Sequence, residues 1–283
     1  MISVLVDPVH SELGFKVLRI GNFPEIRIDY KKFPDGETYV RLKSTINGKR
    51  IAYITTGYPQ QDESIIRTLF ITKTLKELGA KEVIVVYAYF PYARQDKRFL
   101  EGEAISARIV AEAIINAGAD ELITIDVHAE EVYEGLPFKN ITTEEIWAEF
   151  VKKYEEPFLI APDKGRMDFI KRIAERAGLR EDYIAFQKKR DLVTGKIVGH
   201  EPIDKEKFME LLRNKKTAVL IDDIISTGGT AASVIKELRG KFKGKIVAGF
   251  THGLFLPGSI AVSYTHLRAH ETSLHLVCRL LLE

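Results

Sequence analysis

Short apolar runs alternate with segments of helical spacing along nearly the whole chain. Ile51 to Thr55, Val83 to Tyr87 and Leu122 to Asp126 predict buried strands, with helices over Ser64 to Leu78 and Ala104 to Ala117 between them. Met1 to Asp7, M-I-S-V-L-V-D, adds a strand in front. Gly79 and Gly118 each follow a helical pattern where a C′ glycine belongs, and each leads through a charged residue into the next strand. The second half repeats the scheme: a strand at Phe158 to Ala161, a helix from Arg166 to Ala177 closed by Gly178, a strand-loop-strand at Tyr183 to Val198, a strand through Val219 to Ile221, a helix over Ala231 to Leu238 and a strand at Ile246 to Thr251. This order predicts an α/β protein of two similar halves, each a mainly parallel sheet flanked by helices. The boundary falls near residues 140 to 145, where a helical pattern around Trp147 opens the second half, giving domains of 1–142 and 143–260.

Thr217 to Thr230, T-A-V-L-I-D-D-I-I-S-T-G-G-T, carries the most chemistry. A short strand ending at Ile221 and a helix from Ala231 leave Asp222 to Thr230 as a strand-to-helix turn. At the carboxyl end of an open sheet the N–H groups of such a turn point outward with the helix dipole behind them. Gly228 and Gly229 let the backbone approach an anion closely, and the hydroxyls of Ser226, Thr227 and Thr230 can donate to phosphate oxygens. Asp222 and Asp223 repel a bare phosphate, so the ligand must also bring donors, as the 2- and 3-hydroxyls of ribose do, or a cation. A ribose 5-phosphate meets both demands. The plainer alternative is an acidic strand end followed by a helix capped by Ser or Thr. The stretch does not match the G-x-x-x-x-G-K-[ST] phosphate loop.

Four other places invite two readings each. Arg94 and Gln95, in Y-A-R-Q-D, follow a strand and a proline-bearing aromatic turn, and suit either a nucleotide or a solvated basic loop. Asp35, Gly36 and Glu37, in F-P-D-G-E, taken alone make an ordinary turn between strands. His128 and Asp163 each come just past a strand end, where an imidazole and a carboxylate suit Mg²⁺ held mainly by a nucleotide, or a purely structural role. Gln187 to Asp191, Q-K-K-R-D, is a solvated hairpin tip unless it folds over two phosphorylated substrates, in which case Lys188 and Arg190 become charge-stabilising donors.

Composition narrows the class. The 283 residues are enough for two domains, and a net charge of +2 favours a small anionic substrate over nucleic acid as partner. No apolar stretch reaches the roughly 18 residues of a membrane span, and the amino terminus lacks a signal-peptide pattern, so the expectation is a cytoplasmic protein with no membrane partner. Cys278 is the only cysteine, which removes a disulfide framework and a thiolate metal cluster within one chain. Charged residues make up 29%, with little Cys or Met, a weak lean toward a thermophilic source.

Taken together, F-P-D-G-E, Y-A-R-Q-D, D-V-H-A, A-P-D-K-G and D-D-I-I-S-T-G-G-T resemble ribose-phosphate diphosphokinase, or phosphoribosyl pyrophosphate synthetase, of the short archaeal type, over roughly residues 1 to 258. The resemblance implies two tandem domains of phosphoribosyltransferase-like fold in at least a dimer. It implies that Asp35, Gly36 and Glu37 reach the ATP of a neighbouring subunit, that Arg94 and Gln95 bind ATP, and that His128 and Asp163 hold Mg²⁺. It further implies that Lys188 is the mobile-loop catalytic lysine, that Arg190 is its partner in catalysis and ribose 5-phosphate binding, and that Asp222, Asp223, Ser226, Thr227, Gly228, Gly229 and Thr230 form the ribose 5-phosphate site. The implied reaction converts ATP and ribose 5-phosphate to AMP and 5-phosphoribosyl diphosphate. A phosphoribosyltransferase and a non-catalytic regulatory homologue are the alternatives.

Residues 261–283 break the pattern. They hold His266, His270, His275 and Cys278, and resemble no part of the family. His266 and His270, four apart, would share a helix face, but the abrupt change of composition favours a non-native tail, such as vector-derived read-through, over a metal site. The expectation is that native closing elements of the second sheet are replaced, leaving an aggregation-prone edge.

Overall fold

Five parallel strands carry the first half of the chain. A computed structural model describes residues 1–9, 12–190, 197–256, 269–274 and 277–282. It divides into two units, Met1–Ile141 and Thr142–Glu283. The first opens with β1 (Ile2–Val6) and α1 (Glu12–Ile20) and passes through a hairpin of β2 (Ile28–Lys32) and β3 (Thr38–Leu42). It continues as β4 (Arg50–Thr55), α2 (Gln61–Glu77), β5 (Glu82–Tyr87), α3 (Ser106–Asn116), β6 (Glu121–Ile125) and β7 (Phe138–Ile141). The sheet order is β1-β4-β5-β6-β7, parallel throughout. Alternate side chains go to opposite faces: Leu5, Tyr53, Val85 and Tyr87 pack with Ile71 and Leu75 of α2 and Ala107 and Ile114 of α3, while Val4, Val6 and Ile54 pack with Val17 and Leu18 of α1.

A polar knot sits inside this unit, just past β1. Asp7 Oδ2 accepts hydrogen bonds from Tyr53 Oη at 2.6 Å, Thr55 Oγ1 at 2.8 Å and Arg67 Nε at 2.9 Å, and its Oδ1 accepts from Val9 N at 2.8 Å. Both Asp7 and Arg67 are fully buried, and the Arg67 guanidinium lies over the Tyr30 ring.

The second unit runs α4 (Glu144–Val151), β8 (Pro157–Ala161), α5 (Met167–Ala177), β9 (Tyr183–Arg190), β10 (Ile197–Pro202), α6 (Lys205–Asn214), β11 (Thr217–Ile225), α7 (Gly229–Arg239) and β12 (Lys245–Gly253). β13 (Ala269–Leu274) and β14 (Val277–Leu282) then pair antiparallel, which places His270 in a strand rather than on a helix. His266 and His275 lie outside the described residues. The five-stranded sheet has the order β10-β9-β8-β11-β12, with β10 the antiparallel member. Both faces are covered: Phe158, Ile160, Ala218 and Leu220 pack toward α6 and α7, and Leu159, Ala161, Val219 and Ile221 toward α4 and α5. Gly178 closes α5 in the left-handed region at φ 76°, the C′ role its position predicted.

Trp147 anchors α4. Its ring is fully buried, and its Nε1 donates to Thr251 Oγ1 of β12 at 3.2 Å. The neighbouring Gly249 leaves the room: a Cβ there would stand 2.5 Å from Trp147 Cη2 and 2.6 Å from Cζ3. A buried indole edge cannot give way cheaply. Gly249→Ala is therefore expected to destabilise the second unit by about 1–3 kcal/mol through overpacking, read as a lower denaturant midpoint in tryptophan fluorescence, for which Trp147 is the sole reporter. An unchanged midpoint would refute the contact.

The elements expected from the sequence do not include α1, α6 or β7, nor the β13–β14 pair. In α6, Asp204 caps the first turn by accepting from Lys207 N at 2.9 Å, and Phe208 and Leu211 are buried at helical spacing, a signal present in the sequence. α1 and β7 carry weaker patterns.

Candidate active site

The second sheet reverses its winding at β8. From β8 the chain moves outward to β9 and β10, then returns to the other side of β8 as β11. The carboxyl ends of β8 and β11 thus flank a topological switch point, where the crevice of an open α/β sheet lies. Asp163 follows β8, and Asp222 to Thr230 span the end of β11 and the start of α7.

The strand is longer than its apolar run. β11 continues through Asp222 and Asp223 to Ile225, so the two carboxylates lie within a strand and not in the turn. The reason is the partner: β8 pairs with β11 only as far as Leu220, whereas β12 continues beside it to the Ile225–Gly253 pair. Only Ser226, Thr227 and Gly228 remain as loop, and Gly228, at φ 77°, is the helix cap. The N-cap residue Gly228 offers no side chain, and the Thr227 hydroxyl only accepts from Gly229 N at a long 3.5 Å, a weak form of the capping on the plainer reading. Thr227 and Thr230 are exposed and Ser226 half-buried. An anion seated here meets first-turn N–H groups, of which Gly229 N has only a long contact to Thr227 Oγ1, at the positive end of an eleven-residue helix.

Asp222 and Asp223 have a cation beside them that the sequence did not announce. Arg166, in the turn after β8, places Nη2 3.0 Å from Asp223 Oδ2 and Nε 3.6 Å from Asp222 Oδ1, and its guanidinium stacks 4.9 Å from the Phe169 ring centre. Burial pushes the Asp222 carboxyl well above its ordinary value, the Asp223 charge adds to this, and Arg166 opposes it. Asp163 also raises Asp222 electrostatically, which puts it at the same end of the sheet.

Lys188 is exposed on β9, directly across the β9–β10 ladder from His200. Burial lowers the His200 pKa, with the Lys188 charge acting in the same direction and Asp163 against them. Asp163, Lys188 and His200 therefore share one neighbourhood. The side chain of Arg190 lies outside the described residues.

The first unit holds the remaining candidates. Arg94 and Gln95 line a cleft of about 580 Å³ with Gln60, Asp62, Tyr89 and Tyr92. Tyr92 has φ 61° and its hydroxyl donates to Asp62, a strained backbone at a cleft wall. His128 is exposed past β6, two residues after Asp126, which is itself at φ 42°. β5 and β6 are neighbours, so the segments bearing Arg94 and His128 leave adjacent strand ends. Asp35, Gly36 and Glu37 form the exposed tip of the β2–β3 hairpin, closed by Gly36 N donating to Phe33 O at 2.9 Å, with Gly36 at φ 93°. No group of three His, Cys, Asp or Glu side chains suited to a metal occurs among the described residues. An imidazole or a single carboxylate fits Mg²⁺ only where phosphate oxygens and water supply most of the shell.

Known proteins match both units. Residues 2–118 match the family model of the N-terminal domain of ribose phosphate pyrophosphokinase, and residues 128–248 that of the phosphoribosyl transferase domain. The chain is 36% identical over 242 residues to a ribose-phosphate pyrophosphokinase of Sulfurisphaera tokodaii, covering 84% of this chain and 80% of that one. It is 42% identical over 218 residues to the Methanobrevibacter smithii protein of the same name, covering 75% and 72% of the two chains. It is 38% identical over 256 residues to that of Pyrococcus abyssi, covering 88% and 84%. The crystal structure of a phosphoribosylpyrophosphate synthetase from Mycobacterium smegmatis superposes with a TM-score of 0.82 at 23% identity, over 92% of this chain and 84% of that one, which shows the shared fold.

Proposed function

Because the chain belongs to the ribose-phosphate pyrophosphokinase family, we propose that it transfers the β,γ-diphosphoryl group of ATP to ribose 5-phosphate, giving AMP and 5-phosphoribosyl 1-diphosphate. The observation that carries the reading is the end of β11: a pair of carboxylates suited to ribose hydroxyls, followed at once by a weakly capped helix N-terminus suited to the 5-phosphate. Ser226 to Thr230 hold the phosphate and Asp222 and Asp223 the diol, which fixes the far end of the nucleophile. The anomeric hydroxyl oxygen then forms a bond to the β-phosphorus while the bond from that phosphorus to the α,β-bridging oxygen breaks. AMP leaves with the electron pair, and the hydroxyl proton passes to water. Lys188 and Arg190 meet the charge that builds on the transferring group.

Arg94 and Gln95 take the nucleotide, with Asp35, Gly36 and Glu37 reaching across from a second subunit. His128 and Asp163 would hold Mg²⁺, which when bound neutralises the polyphosphate. The oligomer, the metal and a cytoplasmic location rest on the family resemblance. Among the described residues, no helix is long and apolar enough to cross a membrane.

Purified protein with ATP and Mg²⁺ is expected to form AMP only when ribose 5-phosphate is added, with 5-phosphoribosyl diphosphate in equal amount. A phosphoribosyltransferase would consume that diphosphate and release no AMP from ATP, and a regulatory homologue would do neither. AMP formation independent of the sugar would overturn the proposal.

A further inference from the structure

We infer that Arg166 is a ribose-recognising side chain, which completes with Asp222 and Asp223 a site for the cis-diol of the sugar phosphate. The inference rests on the ribose 5-phosphate reading of the β11 end and goes beyond it by adding a residue from the turn after β8.

Three observations carry it. The guanidinium stands 3.0 Å from Asp223 and 3.6 Å from Asp222, and its side chain is only 11% exposed. Its Nε and Nη2 are nevertheless buried without a hydrogen-bond partner among the described residues. The group is thus held at ion-pair distance with donors that its carboxylates do not satisfy. Finally, the Phe169 face and the β8 turn restrict the side chain from the other side.

Buried, unspent N–H groups call for an acceptor. A ribose hydroxyl is both donor and acceptor, so it can donate to a carboxylate oxygen and accept from the guanidinium at once. A site of carboxylates alone uses only the donor half of each hydroxyl. Arg166 supplies the other half and also offsets part of the negative charge that two aspartates present to an incoming sugar phosphate. Its planar fork is the part that lysine cannot reproduce.

Sugar discrimination tests this directly. A site that hydrogen-bonds a hydroxyl rejects the analogue lacking it, because its own polar groups are then left unpaired. The full chain is assayed with ribose 5-phosphate and with its 2-deoxy and 3-deoxy analogues, comparing kcat/KM. In Arg166→Gln the preference for ribose 5-phosphate over at least one analogue is expected to fall by about tenfold or more, with KM for ATP unchanged. Arg166→Lys keeps the charge and a donor, so it guards against misfolding; it is expected to stay active and lose about threefold or more of the preference. Undiminished preference in either folded variant overturns the inference. Absence of any ribose 5-phosphate-dependent AMP from the unsubstituted chain overturns the sugar-site reading itself, a result that does not depend on Arg166.

Discussion

Replacing Lys188 by alanine is expected to lower kcat by about a hundredfold or more while ribose 5-phosphate binding changes by less than about threefold. The split follows from where the residue stands. Lys188 is exposed on β9, and its ammonium has no ion pair or hydrogen bond among the described residues. Its strand partner is the unprotonated-leaning His200, which offers no countercharge. A cation with no partner among the described residues is available to the diphosphoryl group as charge develops on it. The sugar phosphate is gripped elsewhere, at the end of β11 and the start of α7. Steady-state kinetics with both substrates, paired with calorimetric titration of ribose 5-phosphate, separates the two effects. An unchanged kcat removes Lys188 from the chemistry, and an equal loss of sugar affinity reassigns it to binding.

The second large effect concerns stability. Asp7→Ala is expected to cost the first unit about 3–5 kcal/mol, because it leaves the Arg67 guanidinium buried and unpaired. Arg67 is fully buried, its Nη1 and Nη2 already lack partners among the described residues, and Tyr53 and Thr55 lose their shared acceptor as well. Asp7→Val with Arg67→Met removes both charges and is expected to recover most of the loss, the signature of a pair whose separation costs more than its absence. Denaturant unfolding of the three proteins measures this, and a single variant as stable as the parent would sink it. The pair also has a pH signature. Burial by itself raises the Asp7 carboxyl, but the Arg67 charge and the hydrogen bonds from Arg67, Tyr53 and Val9 prevail and hold it below its ordinary value near 3.8. A carboxylate lowered on folding stabilises above its unfolded pKa, so this contribution is present at neutral pH and is lost as pH falls below about 3.8.

How much was legible can be traced residue by residue. Gly178 after the α5 pattern, and the apolar stretch Val219 to Ile221 before the hydroxyl-bearing loop, announced a helix end and a buried strand from local chemistry alone. Asp204 before Phe208 and Leu211 marks α6 equally clearly, with a cap and helical spacing that are both local signals. Asp222 and Asp223 were placed in a turn because charge ends an apolar run. They sit in a strand because β12 continues to supply hydrogen-bond partners there.

Local pattern therefore determined most of the order of strands and helices and with it the two α/β halves, since period, capping and turn preference act over a few residues, while the phosphoribosyltransferase-like class followed from the resemblance that the site motifs carry. Tertiary structure alone decided three things: the winding that brings the turn after β8 beside the end of β11, the pairing of Arg166 with Asp222 and Asp223 across 56 and 57 positions of chain, and the burial of Asp7 with Arg67. The two pairings depend on a charge leaving water next to a distant partner, and the energy of that step is set by sheet order and packing, which no window of sequence contains.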